Sequence, residues 1–224
     1  MSYYLYGLQR SGTNVLQAFL EYNFDIKFNN SQNRQLCSHK HFRVYDNKNI
    51  IPHTDVINQY YNNIIINSIE ELDEKLGDTN NSNKYIIIYK NIFSWLPSIK
   101  KWADNCNWIT NKNIKLIDDY LNYINKWHTI KNDRVLFINY EEYIKYIISN
   151  SNTESLFLKR INTFLNKDIY NLKYKAFKKV NCSSVFNQEK LNYYVNEEYL
   201  KYFTKKEIKK IKKKKLYQKI VEYK

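Results

Sequence analysis

The sequence predicts an α/β fold: one domain over residues 1–224, a three-layer sandwich with a central parallel sheet. Three observations predict it. Short runs of apolar β-formers at residues 3–8, 85–89 and 134–139 read as buried strands. Segments with apolar residues at helical spacing follow each run, and this alternation is that of βαβ units with parallel strands. The first strand-to-helix turn is bounded by Gly7 and Gly12, in a chain with only three glycines and two prolines.

The elements follow in order. After the first strand, Val15, Leu16, Phe19 and Leu20 recur at helical spacing. Residues 24–35 are polar and Asn-rich, a loop, and 42–45 read as a short strand. Ser68 and Glu71 have capping-box spacing, Leu72 and Leu76 continue an apolar face, and Gly77 suits a helix end. A polar loop at 78–83 leads into the second strand, which is apolar throughout as in a strand buried on both faces. Helices are expected near 93–102 and 113–130, then the third buried strand, then helices at 140–149 and 153–166. Thr204 and Glu207 form a second capping box, opening one basic C-terminal helix with Ile208, Ile211 and Ile220 as its apolar positions.

Bulk properties narrow the function classes. At 224 residues, 43% hydrophobic and 17% aromatic, the chain can bury a real core and is not a disordered polymer. Its net charge of +14 suits an anionic cofactor or polyanion. The dominant residues, Asn, Ile, Lys, Tyr and Phe, have A/T-rich codons, so the charge by itself argues only weakly for nucleic acid. No stretch reaches the ~18 apolar residues of a membrane span, and the N-terminus has no signal-peptide pattern, so a cytoplasmic location is expected. Cys37, Cys106 and Cys182 lack metal-ligand spacing and read as free thiols in a reducing compartment.

Strand, tight loop and helix together direct backbone N–H groups and a helix N-terminus at a phosphate. The spacing Gly7-x-x-x-x-Gly12 is that of a nucleotide P-loop. The two places after it, which would hold Lys and Ser/Thr for Mg-nucleotide, hold Thr13 and Asn14. The cation sits inside the loop, at Arg10. The loop is therefore P-loop-like and built for an anion, but not for Mg-ATP.

The string Gly7-Leu-Gln9-Arg10-Ser11-Gly12-Thr13-Asn14 resembles the 5′-phosphosulfate loop of sulfotransferases, which use 3′-phosphoadenosine 5′-phosphosulfate (PAPS). Lys90 at the end of the second strand and Ser98 eight residues on resemble the Arg and Ser with which that family holds the 3′-phosphate. Lys in place of Arg keeps the charge and loses the bidentate fork, so Lys90→Arg is expected to hold or tighten the grip. A solvated strand end is the plain alternative for Lys90. The string Tyr140-Glu141-Glu142 after the third strand, and Phe186, Tyr193, Tyr194, Glu198, Tyr199, Leu200 and Tyr202, are similar to further family segments. The resemblance covers most of the chain and is weakest over 24–83.

The resemblance implies direct in-line sulfonate transfer from PAPS to a hydroxyl or amine, releasing adenosine 3′,5′-bisphosphate without a metal. The acceptor base is sought among four histidines, since imidazole titrates near neutrality. Ser38-His39-Lys40-His41-Phe42 holds their only cluster. Lys40-His41 looks like a Lys-His pair of some sulfotransferases, so His41 is favoured as base, with Lys40 or Arg10 stabilising the transferring sulfonate. His39, or a carboxylate from 24–83, is the alternative base. The acceptor class stays open among a glycan, a tyrosine-containing peptide and a phenolic small molecule. A P-loop kinase, a nucleic-acid binder and a nucleotide-binding relative without turnover are the competing functions.

Overall fold

The computed structural model describes residues 1–30, 40, 68–80, 82–105, 113–130, 132–148, 155–168 and 188–222. Three strands, β1 (Tyr3–Gly7), β2 (Lys84–Tyr89) and β3 (Val135–Asn139), form a parallel sheet in the order β1-β2-β3. The register sets Leu5 beside Ile86 and Ile86 beside Leu136. The strand read at 42–45 lies outside the described residues, as do all three cysteines.

Alternation along each strand sends side chains to two faces, and each face has its own core. On one side Tyr4, Tyr6, Tyr85 and Ile87 pack with Trp95, Tyr123 and Trp127. Those come from α3 (Ile92–Asn105) and α4 (Asn113–Thr129), with α2 (Ile69–Leu76) on the same side. On the other, Leu5, Ile86, Ile88 and Ile138 pack with Leu16, Phe19 and Leu20 of α1 (Thr13–Phe24). Tyr143 of α5 (Tyr140–Ile148) and Leu158 of α6 (Leu156–Leu165) complete that side. This is the predicted three-layer arrangement. The rings of Tyr4, Tyr6 and Tyr85 stack against one another, and Tyr6 stacks on Trp127.

Two expectations need correction. The third strand is only half buried: Leu136 and Ile138 are covered, while Val135, Phe137 and Asn139 are partly exposed. Among the described residues it has a neighbour on one side only, and Arg160 donates to its Phe137 carbonyl at 3.2 Å. The basic C-terminal helix is two helices, α8 (Lys205–Lys212) and α9 (Lys215–Glu222). The break lets Ile211 and Ile220 both enter the core, while Lys214 pairs with Asp118 of α4 at 2.7 Å.

The helix-end signals do form. The Ser68 hydroxyl accepts from the Glu71 N–H, Gly77 takes φ 76°, and Thr204 and Glu207 cap each other. The sequence reading did not resolve α7 (Gln188–Val195) or the 3₁₀ turn Glu198–Tyr202. Both lie at the C-terminal ends of the strands, where ligands bind in open α/β sheets.

Candidate functional site

The loop between β1 and α1 is shaped by tight packing. Gly7 leaves no room for a Cβ, which would lie 2.7 Å from the Ile88 side chain. At Gly12, φ is 91° and a Cβ would meet the Tyr140 ring at 2.4 Å. A side chain there is strained in backbone and in space alike. Arg10 itself has φ 67°, uncommon for a residue with a side chain. The Trp95 indole N–H donates to the Gln9 carbonyl at 2.8 Å and ties the loop to α3.

This folding leaves an anion-receptive end on α1. Its first turn has neither a side-chain cap nor an acidic residue. Helix N-termini carry partial positive charge and outward N–H groups. The Ser11 hydroxyl is buried and has no hydrogen-bond partner among the described residues. A buried hydroxyl without a partner is costly, and a phosphate or sulfonate oxygen would satisfy it.

Cations gather around that end. Arg10 is exposed, and its Nε donates to the Ser98 hydroxyl at 3.4 Å. Its guanidinium sits 4.9 Å from the centre of the Trp102 ring. Trp102 escaped the sequence reading, although it lies one helical turn beyond Ser98 on α3. Lys40 is also at the loop: its carbonyl accepts from the Gly7 N–H at 2.9 Å, and its ammonium donates to the Asn14 side chain. His39 and His41 lie outside the described residues.

Lys90 is not a solvated strand end. It follows β2 directly and is only 3% exposed. Its ammonium donates to the Tyr194 hydroxyl at 2.9 Å and lies over the rings of Tyr194 and Tyr140, at 4.6 and 5.1 Å. Burial pushes its pKa down to about 8; Glu141 opposes this and the Arg10 charge adds to it. Ser98 thus stands against Arg10, while Lys90 turns toward α7. The tyrosines were legible as a Tyr-rich segment, but nothing in their spacing shows which one meets Lys90.

Glu141 braces this corner. Its carboxylate accepts from the Asn91 N–H at 2.9 Å and from the Ser94 hydroxyl, fixing the start of α3 beside α5. Two cavities flank Tyr194. One, about 640 Å³, is lined by Tyr89, His128, Phe137, Glu142 and Tyr194 among others. The other, about 580 Å³, is lined by Ser94, Ser98, Lys101, Tyr193, Tyr194 and Tyr202 among others. His128 stacks on Phe137 at 4.2 Å, and burial holds its pKa down at about 4. Among the described residues, no group of three or more His, Cys, Asp or Glu side chains is placed to hold a metal ion. No helix among them is long and apolar enough to cross a membrane.

Comparison with known proteins gives a divided result. No family model matches the chain, and no curated protein matches it in sequence. Among solved structures, mouse sulfotransferase SULT7A1 complexed with PAP matches with a TM-score of 0.51 and 17% sequence identity. The match covers 100% of this chain and 89% of that one. The fold of this chain is that of the sulfotransferases.

Proposed function

We propose that the chain is a PAPS-dependent sulfotransferase, a single domain over residues 1–224 that moves a sulfonate group to a hydroxyl or amine. The observation that carries this reading is the β1–α1 loop, where Arg10 and the buried Ser11 hydroxyl precede the uncapped N-terminus of α1. An exposed guanidinium beside a buried hydroxyl that has no partner among the described residues suits a bound anion. The PAP held by the mouse protein of the same fold supports an adenosine bisphosphate as that anion.

On this reading Gln9, Arg10, Ser11, Gly12, Thr13 and Asn14 receive the 5′-phosphosulfate, and Ser98 and Lys90 receive the 3′-phosphate. The acceptor oxygen or nitrogen attacks sulfur in line. The bond from sulfur to the bridging phosphate oxygen breaks, and the acceptor proton passes to His41. Arg10, Lys40 and the α1 amides stabilise charge on the departing oxygen. The protein supplies the positive charge itself, so the reading calls for no metal.

Calorimetric titration with adenosine 3′,5′-bisphosphate and with AMP tests the nucleotide site. Tighter binding of the bisphosphate is expected, and equal binding overturns the 3′-phosphate assignment. Labelled-sulfonate transfer to glycan, tyrosine-peptide and phenol panels tests the reaction. His41→Ala should lower transfer by roughly 10²–10⁴ and spare PAPS affinity. Normal transfer by that variant moves the base to His39 or a carboxylate. Bisphosphate binding with no transfer to any acceptor favours the nucleotide-binding relative without turnover.

A further inference from the structure

The geometry points to Tyr194 as a displaceable plug: its hydroxyl holds the place on Lys90 that the 3′-phosphate of a nucleoside bisphosphate takes when it binds. This rests on the nucleotide site proposed above. Tyr194 lines both cavities. It stands between the Ser98–Lys101 side and the Asn91–Glu141 side. Its ring and hydroxyl, with the Tyr140 ring, cover the Lys90 ammonium. The Tyr194 ring also meets the Tyr140 ring edge-on at 5.1 Å, so Lys90, Tyr194 and Tyr140 form one chain of contacts. Rotation of the Tyr194 side chain would join the two cavities and open Lys90 to the Ser98 side.

The exchange is favourable on simple electrostatic grounds. A phenol hydroxyl is a neutral partner for an ammonium. A phosphate oxygen is charged, and charge-assisted hydrogen bonds are about twice as strong as neutral ones. The anion would also screen Lys90 from Arg10, which the phenol cannot do. A 5′-monophosphate seated on the α1 loop has no group to displace Tyr194. The plug therefore stabilises the empty and AMP-bound states by covering Lys90, and it holds bisphosphate affinity below what an open Lys90 would give.

Two measurements test this. The first is affinity for adenosine 3′,5′-bisphosphate and AMP, in the intact chain and in Tyr194→Phe, which keeps the ring and removes the competing hydroxyl. Bisphosphate affinity should rise about 3- to 10-fold while AMP affinity is unchanged. Equal or weaker bisphosphate binding by Tyr194→Phe overturns the plug. The second needs no nucleotide: acylation of Lys90 by an amine-reactive ester, read by mass spectrometry against exposed lysines of the same chain. Lys90 should be protected in the intact chain and gain about 10-fold in labelling in Tyr194→Ala. A Lys90 that labels as fast as surface lysines in the intact chain overturns the shielding. If the shielding holds but the intact chain and Tyr194→Phe both fail to bind the bisphosphate, the nucleotide site is what fails.

Discussion

Arg10 and Lys90 carry the same charge at the C-terminal ends of adjacent strands, yet they live under opposite physics. Arg10 is exposed, lies over Trp102 and reaches Ser98 across the site. Its guanidinium is weakly hydrated and suited to flat stacking. Lys90 is compact, strongly hydrated by nature, and nearly withdrawn from solvent beneath two tyrosines. A cation at the surface is a ready ligand for an anion. A buried one costs desolvation until a partner is found, so it can be released or satisfied by binding.

The contrast is sharpened first at the loop that presents Arg10. Gly12→Ala should cost about 2–4 kcal/mol of stability, from a left-handed backbone and a methyl driven into the Tyr140 ring. Thermal unfolding checks it, and an unchanged melting temperature would show that Tyr140 can move aside freely. Next, Arg10→Ala should weaken PAPS binding by ~1.5–3 kcal/mol, the usual loss for a charged hydrogen bond, and leave stability nearly unchanged. Calorimetry with a parallel melt separates the two effects.

Lys90 should answer in the reverse sense. Lys90→Met removes a buried ammonium and keeps most of its volume, so stability should hold or rise while bisphosphate binding weakens. Lys90→Arg should cost about 1–3 kcal/mol, because the larger guanidinium overfills a site walled by Tyr140 and Tyr194. That cost falls on stability, while the expectation that Arg holds or tightens the grip concerns affinity and is read separately. A melt and a bisphosphate titration on both variants decide it.

The smallest effects are in pH. Lys90 titrates at about 8 when folded against 10.5 ordinarily, so folding disfavours its charged form. The unfolded chain binds the extra proton between those values, and stability should rise as pH increases from 8 toward 10.5. Glu141, Arg10, Tyr140 and Tyr194 are the groups facing it, and Lys90→Met should flatten that limb. His128 obeys the same sign lower down: with a folded pKa of about 4 against 6.5, it adds stability as pH rises through that interval. His128→Asn should remove that slope, measured by urea unfolding at stepped pH.

The β1–α1 turn was legible because its requirements are local. A strand must end, a glycine must turn, and a helix must begin within a few residues, so Gly7, Arg10 and Gly12 announce themselves in order. Lys90 and Ser98 were legible for the same reason, one strand end and one helix. Their contacts were not: Ser98 meets Arg10 across 88 residues of chain, and Lys90 meets Tyr194 across 104. The single C-terminal helix failed because a capping box marks where a helix starts, not where packing against α4 interrupts it. The third strand failed as fully buried because its apolar composition cannot say whether a further strand lies beyond it.

What the sequence by itself determined about this protein is what short-range physics controls: periodicity, caps, the glycine-bounded turn, and the order strand–loop–helix that leaves a helix N-terminus without a side-chain cap. Only the tertiary structure decided which cation faces solvent and which is buried. Both are basic residues at strand ends in the linear chain. The difference arises because α7 and α5 bring Tyr194 and Tyr140 over one of them, and desolvation depends on everything within a few ångströms, whatever its distance along the chain.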